Sequence, residues 1–332
     1  MKRRIAVLAL LLCFAFVTMP LLATGQEEAK TYHLVGASSL PPDYTNYKAL
    51  AYFADKVKEY YDGPIEIDVH HSAELGDQTD YIEYMIQGIS VDFAMSAPAT
   101  AATYDKRCSF LDPPFLYRDL DHWAKVLESD AFVSIEDTLL DKGLRILGYG
   151  GGGTRNLILR KEVKTDSDLP SVLMRVMGSP IQAKAFSAAG LQVTPMAYTE
   201  VYNAIKTGVV DGLENEASSL LAMKFYEVAP YVILTRHAIT VRPIWFSEKR
   251  FQSFPEDLQQ AILKAGAEAA AYHREIETKA DVEALQQMAD EGKIELVEFD
   301  NTEMIKKTKS VLKDYATELG AIEVWENVDS IK

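Results

Sequence analysis

The stretch SVLMRVMGSPIQAKAFSAAGLQVTPMAYTEVYNAIKTGVVDGLEN, residues 171–215, decides the fold. Val172, Met174 and Val176 alternate with Leu173, Arg175 and Met177, the two-residue period of a strand. Residues 179–189 read as a helix, 191–195 as a short strand, 199–208 as a helix ended by Gly208, and 209–215 as a strand running into a loop. Strand and helix in strict alternation predict an α/β sheet with helices on both faces. Inside the first strand stands Arg175. An arginine is rarely fully buried without a partner, so it either snorkels to water or waits for an anion.

Upstream the same alternation holds. Residues 32–38, 64–70, 90–96 and 144–150 read as strands; 45–61, 78–87 and 119–141 read as helices. RNLILR at 155–160 is a further strand, a helix is expected at 216–227, and strands follow near 231–236 and 238–246. Two α/β units of similar size in 332 residues predict two lobes. A long helical pattern then runs from SFPEDL to ADEG, residues 253–292. Ser253 and Glu256 fit a capping box, with Pro255 in the first turn. Leu258, Ile262, Ala265, Ala269, Ile276, Ala280, Leu285 and Met288 set its apolar period. Such a helix exceeds the width of one lobe and is expected to brace both.

The formal net charge of −15 argues against nucleic acid, which demands clustered Lys and Arg. Lys2, Arg3 and Arg4, the apolar run Ile5–Val17, Pro20 and the small residues at 23–25 read as an export signal cleaved near Gly25, which places the mature chain in the periplasm. An uncleaved anchor helix is the alternative. Cys13 leaves with the signal, so Cys108 has no intramolecular partner and is expected in the core.

No catalytic motif stands out. GYGGGGT, residues 148–154, matches GxGxxG formally, but it lacks GK[ST] and leads into a strand, so it reads as a flexible crossover between lobes. His70 and His71 are adjacent on a strand and point to opposite faces, and the other histidines are isolated, so no metal or cofactor is expected. The useful group is Arg155, Arg175 and Asn215, all at strands of the second unit. Open α/β sheets bind ligands beyond the carboxyl ends of their strands, and a guanidinium fork matches a carboxylate. Spacing alone leaves a surface salt bridge for Arg155 and a structural ion pair for Arg175 equally open.

GGGTRNLILR (151–160), the block from Pro195 through Tyr226, FPEDLQQAIL (254–263) and LGDQTDYIEYMIQGISVDFAM (75–95) together resemble the solute-binding proteins of tripartite ATP-independent periplasmic (TRAP) transporters, of the dicarboxylate type. The resemblance covers nearly the whole chain after the export signal. It implies a clamshell of two α/β lobes, one formed by 30–150 plus about 240–272, the other by 151–239 plus about 273–328. It implies that Arg175 grips a ligand carboxylate, that Arg155 is a second anion contact, that Asn215 contacts the ligand and that Tyr198 packs on it. Glu216 stands where many relatives have proline, and Met95 where sialic acid binders carry glutamate, which argues for another acid. Asp77, Gln78, Trp245 and Tyr149 are further candidates to line the pocket. The expected ligand is an organic acid, best a uronate or aldonate, passed to a two-subunit membrane permease. A monomer is expected, with a dimer through the C-terminal helix as the alternative. An exported enzyme acting on a carboxylated sugar, or a sensor-type binding protein, are the competing functions.

Overall fold

The structure is a computed structural model that describes residues Lys30–Lys332; the expected export signal and Cys13 lie outside them. The first half runs β1 (Tyr32–Ala37), α1 (Thr45–Tyr60), β2 (Ile65–His70), α2 (Gln78–Gln87), β3 (Phe93–Met95), α3 (Leu120–Leu127), α4 (Val133–Asp141) and β4 (Leu144–Leu159). The second runs β5 (Leu173–Val176), α5 (Pro180–Ala189), β6 (Gln192–Pro195), α6 (Val201–Thr207), β7 (Gly212–Asn215), α7 (Ala217–Ala222) and β8 (Tyr231–Ser247). Then come α8 (Glu248–Gln252), α9 (Glu256–Asp290), β9 (Glu295–Glu298), α10 (Thr302–Glu318) and α11 (Ile322–Ser330).

The strand order is β2-β1-β3-β8-β4-β7-β5-β6, with β9 also on β8. Two long antiparallel strands, β4 and β8, explain how two lobes share one sheet. The early part of β4 pairs with the late part of β8, and β3 adds beside β8 at Ile244–Phe246. The late part of β4, Asn156–Leu159, pairs with β7, and β9 joins the early part of β8. Each half of the two long strands thus belongs to a different lobe. The outer pairs β1–β2, β1–β3, β5–β6 and β5–β7 are parallel, as helical crossovers require.

The glycine run falls where β4 passes from one lobe to the other. The register slips between Gly151 and Thr154, and Gly151 and Gly152 hold φ of +116° and +119°, outside the comfortable range of any side chain. A Cβ on Gly151 would also run into the Thr240 carbonyl of β8.

Several sequence expectations need correction: the strands expected at 144–150 and 155–160 are one, as are those at 231–236 and 238–246. The helix expected over 119–141 is two, α3 and α4. Ser129 turns back onto the Val126 carbonyl and accepts from the Ala131 N–H, so its side chain competes with the helical ladder. The capping box at α9 is not formed: Pro255 is the N-cap without a side-chain hydrogen bond, and Ser253 Oγ donates to the Arg250 carbonyl behind it.

Helix α9 has 35 residues and is about 52 Å long at ~1.5 Å per residue. Its first half packs with α1 and β4 through Leu258, Ile262, Ala265 and Ala269. Its last turns close the second lobe through Ala284 and Met288. Between these apolar ends the buried track is His273, Glu277 and Asp281, while Ile276, Ala280 and Leu285, expected in the core, are only half-buried. Helix α10 lies against α5, and Val324, Trp325 and Val328 of α11 share a core with Trp123 and Phe110. No helix among the described residues is long and apolar enough to cross a membrane.

Candidate functional site

Between the lobes lies a cavity of about 460 Å³, the size of a small-molecule site. The β1–α1 loop and the start of α2 supply Ser39, Tyr44, Asp77 and Gln78; the ends of β5 and β7 supply Arg175 and Asn215. Of ten candidate residues the cavity collects seven: Arg175, Arg155, Asn215, Tyr198, Asp77, Gln78 and Glu216. The parallel strands β5 and β7 end side by side, which brings together residues 40 apart in sequence.

Met95, Trp245 and Tyr149 are not among the residues that line it. Met95 is buried in the core with Phe53 and Phe93. The Trp245 ring is fully buried, its Nε1 donating to Ser96 Oγ at 2.9 Å. The Tyr149 hydroxyl donates to Glu136 Oε1 at 2.6 Å. All of β3 and the stretch of β8 that carries Trp245 are buried on both faces, so alternation could not tell a pocket face from a core face.

Arg175 is 4% exposed, and among the described residues its one hydrogen bond runs from Nε to the Met196 carbonyl, 2.9 Å. Among the described residues no carboxylate pairs with it, and its two terminal nitrogens make no hydrogen bond. Its guanidinium carbon stands 5.7 Å from the centre of the Tyr198 ring. Burial pushes its pKa down to about 10; the Glu214 and Tyr198 charges work against that shift. At neutral pH it remains a cation, desolvated and short of an anion. The Tyr198 hydroxyl pairs with Ser219 Oγ, and Asn215 Nδ2 donates to both, 3.1 and 2.8 Å. These contacts fix the rotamers of three cavity side chains and, among the described residues, leave the Asn215 oxygen without a hydrogen bond.

Arg155 is as buried but saturated. Its Nε and Nη2 bind Glu214 at 2.6 and 2.8 Å, Nη2 also binds the Glu214 carbonyl, and Nη1 binds Glu216 Oε2 at 2.7 Å. Burial alone would lower its pKa; the two carboxylates override it and hold the group above the ordinary guanidinium value. Burial alone would raise Glu214; the Arg155 charge and the His237 contact bring it down to about 2. His237 Nε2 lies 3.1 Å from Glu214 Oε2, and burial drives the histidine pKa down. The expected free anion contact at Arg155 is therefore a closed ion pair.

Sequence reading missed Arg242, Ser219 and Tyr44, and the polar track of α9. Arg242 reaches Glu216 at 3.4 Å and Asp112 at 3.7 Å. Tyr44 OH, on the first lobe, donates to Glu216 Oε1 across the cleft at 2.7 Å. Glu277 binds Thr45 Oγ1 of the first lobe and Ser218 Oγ of the second, the latter at 2.8 Å. Burial, then the Glu216 charge, raises Glu277 to about 7. His273 accepts from Gly151 N–H, and Asp281 from Thr154 and Ala217. The i, i+4, i+8 spacing of His273, Glu277 and Asp281 was the available signal, since it continues the buried face of the helix.

Residues 36–318 match the model of the bacterial extracellular solute-binding proteins, family 7. A solute-binding protein of Sulfitobacter sp. (strain NAS-14.1) is 46% identical over 309 residues, 92% of this chain and 93% of the relative. A TRAP periplasmic solute-binding protein from Sulfitobacter sp. NAS-14.1, solved with α-D-taluronate, is 46% identical with a TM-score of 0.87, over 90% of this chain and 97% of that one. Another, from Chromohalobacter salexigens with D-glucuronate, is 30% identical with a TM-score of 0.84, over 90% of this chain and all of that one. With the two-lobed α/β fold it shares with these solved relatives, the chain belongs to the TRAP solute-binding proteins of family 7.

Proposed function

We propose that this protein captures a sugar acid, a uronate or an aldonate, in the periplasm and delivers it to a TRAP membrane permease. The observation that carries the reading is Arg175: a buried cation with unpaired terminal nitrogens at the wall of a cavity lined by amide, hydroxyl and aromatic groups. A carboxylate there accepts two parallel hydrogen bonds in low dielectric, while Asn215, Gln78 and Ser39 offer partners to hydroxyls. Gln78 Nε2 is already held by Ser39 Oγ at 2.9 Å, so the Gln78 oxygen is oriented as an acceptor. The uronates carried by the solved relatives support this class of ligand.

The experiment is a thermal-shift and calorimetric screen of the chain without its export signal against D-glucuronate, D-galacturonate, D-gluconate, succinate and neutral sugars. A sugar acid at 100 times its Kd raises stability by about 2.7 kcal/mol. Binding of neutral sugars with equal affinity, or no response to any sugar acid, overturns the reading. Arg175→Ala then separates the clamp from the rest of the site.

A further inference from the structure

We infer that Glu216 serves as a resident anion that occupies the cavity's second cationic position and so restricts the site to acids with a single carboxylate. This rests on the proposed sugar-acid function and deepens it by naming how many charges the ligand carries. Three guanidinium groups line the cavity: Arg155, Arg175 and Arg242. A site with three free cations would favour dicarboxylates. Here two of the three are already satisfied. Glu216 is 2% exposed and stands between them, with Oε2 at 2.7 Å from Arg155 Nη1 and both oxygens at 3.4 Å from Arg242 Nη2. Its remaining capacity is taken by the Tyr44 hydroxyl at 2.7 Å. Glu214 closes the other side of Arg155.

Among the described residues the wall therefore offers one unpaired cation, Arg175. The facing lobe adds a second negative group, Asp77, whose Oδ1 caps α2 through the N–H groups of Thr79 and Asp80 while Oδ2 makes no hydrogen bond among the described residues. A ligand whose one carboxylate sits on Arg175 and whose other end carries hydroxyls meets this arrangement without charge conflict. An acid with a carboxylate at each end brings its second charge toward Glu216 and Asp77, buried and without a cation to receive it, and like charges set against each other in an interface are costly.

The test compares D-gluconate with D-glucarate, which differ only in a terminal hydroxymethyl against a carboxylate, together with D-glucuronate. Isothermal calorimetry gives the ratio of the glucarate Kd to that of the tighter monocarboxylate. The wild type is expected to disfavour glucarate at least 30-fold. Glu216→Gln keeps the shape and removes the charge, leaving Arg242 without its nearest anion; the ratio should fall at least tenfold, through tighter glucarate binding. Asp77→Asn retains an α2 cap, because asparagine caps as well as aspartate, and should reduce the ratio by a few-fold. It keeps the test decisive if Glu216→Gln fails to fold. Glucarate binding within threefold of the monocarboxylate in the wild type, or an unchanged ratio in each variant that folds, overturns the inference while sugar-acid capture stands. Failure of the wild type to bind any of the three acids overturns the proposed function as well.

Discussion

Arg155 and Arg175 are two arginines on neighbouring stretches of one sheet, and they have opposite fates. Both are withdrawn from solvent. Arg155 lies on β4 beside β7, and its guanidinium is closed by Glu214 of β7 and by Glu216 just beyond it. Arg175 lies on β5, one strand further out, and finds only a backbone carbonyl. The first is spent on the structure; the second keeps its terminal nitrogens free of any hydrogen bond among the described residues, which is what the proposed function uses. What separates them is the identity of the side chains on β7 and beyond it, so a buried arginine reports a partner but does not say whether that partner is covalently part of the chain.

The contrast can be broken at either end. Arg155→Ala leaves Glu214 and Glu216 buried without their cation, and the expected loss is about 3–5 kcal/mol of stability, read by chemical denaturation of the unliganded protein. A variant that unfolds within 1 kcal/mol of the wild type would show that the pair is not structural. Arg175→Ala should do the reverse: unfolding nearly unchanged, and ligand affinity lowered by roughly 30-fold to a few thousand-fold, equivalent to about 2–5 kcal/mol. Unchanged affinity in calorimetry would remove Arg175 from the site.

The buried carboxylates sharpen the comparison through pH. Glu214 is depressed to about 2 in the fold, so its contribution is present above the ordinary glutamate value and fades as pH falls from about 4.5 toward 2. Glu277 is raised to about 7, so the fold prefers it protonated, and stability falls as pH rises from about 4.5 to 7. Glu277→Gln should therefore gain stability over the wild type at pH 8, by roughly 1–3 kcal/mol, with the difference closing near pH 4. A pH-independent difference between the two proteins would contradict this assignment. The smallest effect belongs to Tyr149→Phe. That hydroxyl binds Glu136 and does not face the cavity, so ligand affinity should stay within about twofold of the wild type. A tenfold loss would return Tyr149 to the site.

The α/β alternation and the positions of nearly every strand were legible because strand and helix periods differ and glycine or proline marks their ends. The helix from 45 to 60 and the short strand at 173–176 follow directly from apolar spacing. The strands 144–150 and 155–160, by contrast, are one strand, because the glycines between them permit a bulged passage rather than a break. Arg175 and Asn215 were legible as candidates from their place at strand ends. Tyr149, Met95 and Trp245 were misplaced because strands buried on both faces lose the polar alternation that would show which side meets the cavity.

The order of strands and helices, the long brace of α9 and the placing of Arg175 and Asn215 at strand ends of one unit could be read from the chain alone. Which charges neutralise one another was settled by the folding of distant segments onto each other. Local periodicity is a property of a few consecutive residues, whereas the pairing of Arg155 with Glu214, of Glu216 with Tyr44, and of Glu277 with Thr45 joins groups 59, 172 and 232 positions apart. Whether a cation is free or spent depends on those distances in space, and no spacing along the chain encodes them.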